Sequence, residues 1–176
     1  MRRYEKIKVP VAAPPDLPLR QRGTYLITGG TGGMGLAIAR WLATAVSARL
    51  LLLARTPVPP RVEWDRWIEV HGTDDRVARI IVAVREIEAS GGEVRLAAAD
   101  AADREAMLRA IQEARDAWGA IDGVVHAAGV AGNGRLSALK EPEDIRAVLA
   151  PKVEGLELLV EALGDDELDF VALMSS

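Results

Sequence analysis

The chain has 176 residues, 49% of them hydrophobic, with a formal net charge of -4 and a pI near 5.3. That composition supports a packed core and excludes a disordered chain, and the acidic balance argues against nucleic-acid binding. The absence of cysteine rules out disulfides and thiolate metal sites.

Residues 1–22 differ from the rest. Tyr4, Ile7 and Val9 punctuate a charged stretch that fits one short edge strand, and Pro10, Pro14, Pro15 and Pro18 then oppose regular structure. Arg2 and Arg3 are followed by no apolar stretch and no apolar run reaches the ~20 residues of a membrane span, so no membrane association and a cytoplasmic location are expected. The segment reads as a linker entering a domain over 23–176.

From Thr24 the pattern alternates. Thr24–Thr28 reads as a short apolar strand and Gly33–Val46 as a helix with Met34, Ile38, Trp41 and Leu42 on one face. Arg49–Ala54 has the unbroken apolar run of a buried parallel strand. Residues 56–72, with Pro57, Pro59, Pro60, Trp64 and Trp67, read as an inserted loop with one helical turn. A helix over Asp75–Ser90, a strand over Glu93–Ala98, a helix over Asp103–Trp118 and a strand over Ile121–His126 follow. One long helix over Glu141–Leu163, with Pro151 as a candidate kink, and a strand over Leu168–Met174 complete the series. Five strands alternating with four helices predict an α/β fold with an open, doubly wound parallel sheet, which binds ligands beyond the carboxyl ends of its strands.

The candidate chemistry lies at those ends. Thr28, Gly29, Gly30, Thr31, Gly32, Gly33, Met34 and Gly35 join the first strand to the first helix. Glycines there let backbone approach a pyrophosphate and aim helix N–H groups at it, although such a turn can also be merely tight. Arg55 follows the second strand, where a cation pairs with the 2′-phosphate of NADP, unless it is a solvated loop residue. Asp100 closes the third strand and fits two roles equally: contacting an adenine edge, or helping to cap the helix near Asp103. After the fourth strand, Ala127, Ala128 and Gly129 leave room for adenosine and ribose, or simply pack the turn; His126 reads as a packed, hydrogen-bonded histidine. His71 and His126 have no metal-ligand spacing, and no metal is expected. Lys152 and the terminal Ser175-Ser176 mean little alone.

Together, GGTGGMG (29–35), LLLLAR (50–55), AAD (98–100), GVVHAAGV (123–130), APKVEG (150–155) and DFVALMSS (169–176) resemble the ketoreductase domains of modular polyketide synthases, a branch of the short-chain dehydrogenase/reductases. The resemblance runs from about residue 22 to the end, and Tyr4–Val9 resembles the last strand of the preceding structural subdomain in such modules. It implies a Rossmann-like domain. The implied reaction is NADPH-dependent reduction of a β-ketoacyl thioester on an acyl carrier protein, in polyketide or related fatty acid biosynthesis alongside other synthase domains. In the family a tyrosine protonates the alkoxide, a serine holds the carbonyl oxygen, a lysine lowers the tyrosine pKa and holds the ribose, and an asparagine supports the lysine. Lys152 matches the lysine and Ser176 the serine.

The family's tyrosine and asparagine follow that serine, and no residue here matches them, so the chain reads as the N-terminal part of such a domain, with the C-terminal part missing. Tyr4 and Tyr25 lie in the wrong elements to substitute. Ala131-Gly132-Asn133 stands where one stereochemical class carries Leu-Asp-Asp, which speaks against that class. Two alternatives are a nucleotide-binding or scaffolding module without turnover and a short-chain reductase of a free small-molecule ketone. The Trp64–Trp67 insertion and the lysine-before-serine order argue against the latter.

Overall fold

A computed structural model describes residues 18–101, 103–129 and 141–174. The proposed N-terminal strand, the Ala131-Gly132-Asn133 segment, Ser175 and Ser176 lie outside the described residues.

One sheet of five parallel strands has the order β3-β2-β1-β4-β5. In chain order these are β1 (Thr24–Thr28), β2 (Arg49–Ala54), β3 (Glu93–Ala98), β4 (Gly123–His126) and β5 (Phe170–Leu173). β1 is buried throughout, and its side chains alternate between two cores. Tyr25 and Ile27 join Leu50, Leu52, Ile81, Val84 and Ile87 on one face, whereas Leu26 joins Leu51, Leu53, Met107, Ile111 and Leu159 on the other. Two buried faces explain the unbroken apolar runs of β1 and β2. The first core is roofed by α1 (Gly33–Val46) and α3 (Arg76–Ala89), the second by α4 (Arg104–Trp118) and α6 (Glu154–Leu163).

Two sequence expectations need correction. The stretch 56–72 is more ordered than a loop. A 3-10 turn at Arg61–Glu63 leads into α2 (Trp64–His71). The Trp64 indole is 3% exposed, donates to the Pro59 carbonyl at 2.8 Å and packs into the first core. The Arg61 and Arg85 guanidinium carbons lie 4.7 and 5.7 Å from its ring centroid. Trp67 donates to Asp75, which caps α3 by accepting from Val77 and Ala78; the indole N–H, then the Ala78 N–H, hold that carboxyl below its usual range.

The long helix expected over Glu141–Leu163 is two helices, α5 (Pro142–Leu149) and α6, joined by a turn. Pro151 has no N–H to continue the ladder, and Lys152 N–H bonds to Leu149 in a tighter turn. Among the described residues there are therefore six α-helices rather than four. Arg115 on α4 fixes α6 by donating to the Ala162 and Leu163 carbonyls and to Asp166. No helix among the described residues is long and apolar enough to cross a membrane.

If Trp64 belongs to the core, Trp64→Ala should cost about 3–5 kcal/mol. Val62→Ala, at a neighbouring exposed position, should stay within about 0.5 kcal/mol. Urea denaturation of both variants checks this; equal and small losses would show the insertion to be an ornament.

Candidate functional site

β1 and β4 are neighbours, with Thr28 opposite His126, yet the chain leaves them in opposite directions: α1 leads towards β2, and the segment after β4 leads towards β5. That divergence opens a cleft of about 770 Å³ beyond the strand ends. Thr28, Gly29, Thr31 and Gly32 line it from β1, Arg55 from β2, Asp100 from β3, and Ala127, Ala128 and Gly129 from β4. Pro151 closes its far side.

The glycines divide the work in the loop. Gly29 has φ of +66° and turns the chain out of β1. Gly35, in the first turn of α1, is buried against it: a Cβ there would come within 2.5 Å of the Gly29 carbonyl oxygen and 2.7 Å of Gly30 Cα. Gly30 packs on Leu52 and donates its N–H to Leu53 at 3.0 Å. Gly30, Gly33, Met34 and Gly35 are not among the cleft-lining residues; Met34 is exposed, and there is open space where a Gly33 Cβ would point. The N-cap of α1 is Gly32, with no side-chain cap and no acidic residue in the first turn. Gly32 itself lines the cleft, and the helix start beside it has no side-chain cap to offset its N–H groups.

At the β2–β3 side, Arg55 and Asp100 stand 4.0 Å apart and both are largely exposed. The helix-capping side chain is Asp103, which accepts from Ala106 at 3.1 Å; the Asp100 backbone carbonyl accepts the Asp103 N–H. Arg76, at the start of α3, lines the same cleft and was not singled out in the sequence. The only hint was its position opening the helix that follows the insertion.

At the β4 side, Thr28 Oγ1 accepts the Ala128 N–H at 3.2 Å and lies 2.8 Å from His126 Nδ1. The other ring nitrogen, Nε2, is 2.9 Å from the Pro151 carbonyl oxygen. His126 is buried and fully hydrogen-bonded, as expected, and burial pushes its pKa down against the opposing pull of the Pro151 carbonyl. Lys152 belongs to the turn between α5 and α6, and its Cε comes within 3.6 Å of where a Gly129 Cβ would lie. Gly129 and Lys152 are thus brought together, while Ser176 lies outside the described residues.

Tyr25 sits in the first core, stacked on Phe170 and accepting the Arg20 N–H at 2.7 Å, with burial pushing its hydroxyl pKa up. It is no cleft residue. Among the described residues no cluster of His, Asp and Glu could hold a metal.

Comparison with known proteins agrees with this geometry. The chain is 39% identical over 163 residues to a phenolphthiocerol/phthiocerol polyketide synthase of Mycobacterium tuberculosis, matching 92% of this chain and 8% of that protein. A ketoreductase domain from the bacillaene assembly line superposes with a TM-score of 0.75 at 28% identity, over 91% of this chain and 34% of the other. A metagenomic short-chain oxidoreductase in complex with NADP superposes with a TM-score of 0.61 at 27% identity, over 83% and 56%. The chain therefore spans a small part of the curated synthase and about a third of the ketoreductase structure. The KR domain family model matches residues 23–176, and the chain belongs to that family.

Proposed function

We propose that these residues form the nucleotide-binding part of an NADPH-dependent ketoreductase that reduces a β-ketoacyl thioester carried on an acyl carrier protein, working beside the other domains of a polyketide synthase. The observation that carries this reading is the cleft at the β1–β4 divergence. An uncapped helix start, two arginines and a lysine-bearing turn converge on it. The relatives supply the reaction class: polyketide synthases by sequence, ketoreductases by structure.

The residues present fit the cofactor. The close Gly29–Gly35 approach is a cradle that a Cβ would fill, and the uncapped N–H groups of α1 suit a pyrophosphate. In this reading Thr28, Gly29, Thr31 and Gly32 hold the pyrophosphate, and Gly30 and Gly35 keep the loop against the helix, with Gly33 and Met34 opening that helix. Arg55, joined by Arg76, pairs with the 2′-phosphate, which an NAD site would instead greet with an acidic residue. Asp100 faces the adenine, and Ala127, Ala128 and Gly129 give the adenosine ribose its space. NADPH supplies the hydride to the β-carbon. Lys152 binds the nicotinamide ribose, and its charge favours ionisation of a neighbouring phenol; Ser176 donates a hydrogen bond to the substrate carbonyl.

Titrating the chain with NADPH and NADH by cofactor fluorescence checks the reading. NADPH should bind more tightly, and Arg55→Ala should weaken NADPH by about 10- to 100-fold while leaving NADH nearly unchanged. Equal affinities of the unmodified chain for the two cofactors would sink the 2′-phosphate assignment. Gly35→Ala should weaken both cofactors by at least about tenfold and cost about 1–3 kcal/mol of stability, because its methyl collides with the Gly29 carbonyl. Unchanged affinity in that variant would place the pyrophosphate elsewhere.

A further inference from the structure

We propose that His126 is a positioning residue for Lys152, acting through the Pro151 carbonyl to fix the turn that presents the lysine to the cleft. The inference rests on the reading of Lys152 given above, and goes beyond it by assigning the buried histidine a task.

The hydrogen-bond directions follow from the partners. A carbonyl can only accept, so the proton sits on Nε2 and is donated to Pro151 across 2.9 Å. Nδ1 is then an acceptor, and the Thr28 hydroxyl donates to it across 2.8 Å. The same hydroxyl oxygen accepts from Ala128 N–H. One directed chain thus runs from Ala128 through Thr28 and His126 to Pro151, joining the end of β1, the end of β4 and the α5–α6 turn. Burial favours the neutral ring that this chain requires.

Pro151 is open to such a partner because of its place in the fold. The Gly155 N–H, which a regular helix would aim at the Pro151 carbonyl, bonds instead to Ala150 at 2.9 Å. The Pro151–Lys152 peptide unit is planar, so its oxygen and its N–H move together. The oxygen is held by His126, and the N–H by Leu149 at 2.9 Å. With that plane pinned at both ends, the departure of the Lys152 side chain from the backbone is set, and its Cε is carried over Gly129. A hydrophobic residue at position 126 could fill the same volume but would leave the plane held on one side.

Two polar substitutions separate positioning from mere packing. In His126→Gln the amide nitrogen can replace Nε2 and still donate to Pro151. In His126→Asn the shorter side chain reaches only towards Thr28. The lysines of the chain are Lys6, Lys8, Lys140 and Lys152, few enough to follow by NMR after reductive 13C-methylation, with Lys152→Arg identifying the signal. We expect the Lys152 signal to be preserved in His126→Gln but displaced in His126→Asn and His126→Leu. NADPH affinity should fall about fivefold in His126→Asn and stay within about twofold in His126→Gln. A Lys152 signal unmoved in every variant would overturn the proposal. So would equal displacement in His126→Gln and His126→Asn that follows their loss of thermal stability, the mark of a structural role. The lysine signal is read without cofactor. Failure of the unmodified chain to bind NADPH would therefore count against the cofactor reading, separately from this one.

Discussion

The pairing of β1 with β4 is the constraint on which the rest depends. The two strands lie side by side in parallel, with Tyr25 opposite Gly123 and Thr28 opposite His126, although almost a hundred residues separate them in the chain. Crossover connections then extend the sheet outward from this pair, towards β3 on one side and β5 on the other. Because the chain leaves the two carboxyl ends towards opposite sides of the sheet, a gap opens between them. Groups from the turns that follow four strands, from two helices and from the α5–α6 turn meet there.

Close packing keeps those groups in place. The glycine at the start of α1 brings that helix against the loop it caps, and on the other layer Gly155 lets α6 approach Ala101, where a Cβ would come to 3.2 Å. The first contact is backbone against backbone, and the second sets α6 against both the Cβ and the carbonyl oxygen of Ala101, so neither leaves room for a side chain. The polar chain through Thr28 and His126 adds direction to this stiffness, since each member has a defined donor and acceptor.

Most of the fold was legible because the strands are fully apolar and the helices strongly periodic; the strand ends shift by a residue or two, as for Gly123–His126 against the expected Ile121–His126. The insertion was harder. Pro57, Pro59 and Pro60 advertise a loop, but the residues after them form a helix because Trp64 finds a hydrophobic socket, a tertiary effect that local propensity does not carry. The break at Pro151 was visible as a proline, whereas its consequence, a carbonyl offered to a histidine 25 positions away, depends on packing. Around the cleft, the turns after β1, β2 and β4 were readable from residue type and order. Arg76 was not, because an arginine opening a helix looks the same whether it faces solvent or a cavity. The grouping of APKVEG with DFVALMSS carried meaning only as a family pattern, since neither lysine nor serine is distinctive by itself.

The insertion also bears on how the chain behaves in company. Among the described residues β3 is the outermost strand on one side of the sheet, and an unpaired strand edge invites another chain to add to it. Arg61, carried in by the insertion, donates to the Val94 carbonyl of that strand at 2.8 Å while Glu88 holds its guanidinium in place. An intruding strand would have to evict a charged, doubly anchored side chain before it could form its ladder. The tryptophan beneath that arginine thus helps to guard the margin of the sheet against aggregation, a service to solubility rather than to the chemistry of the cleft.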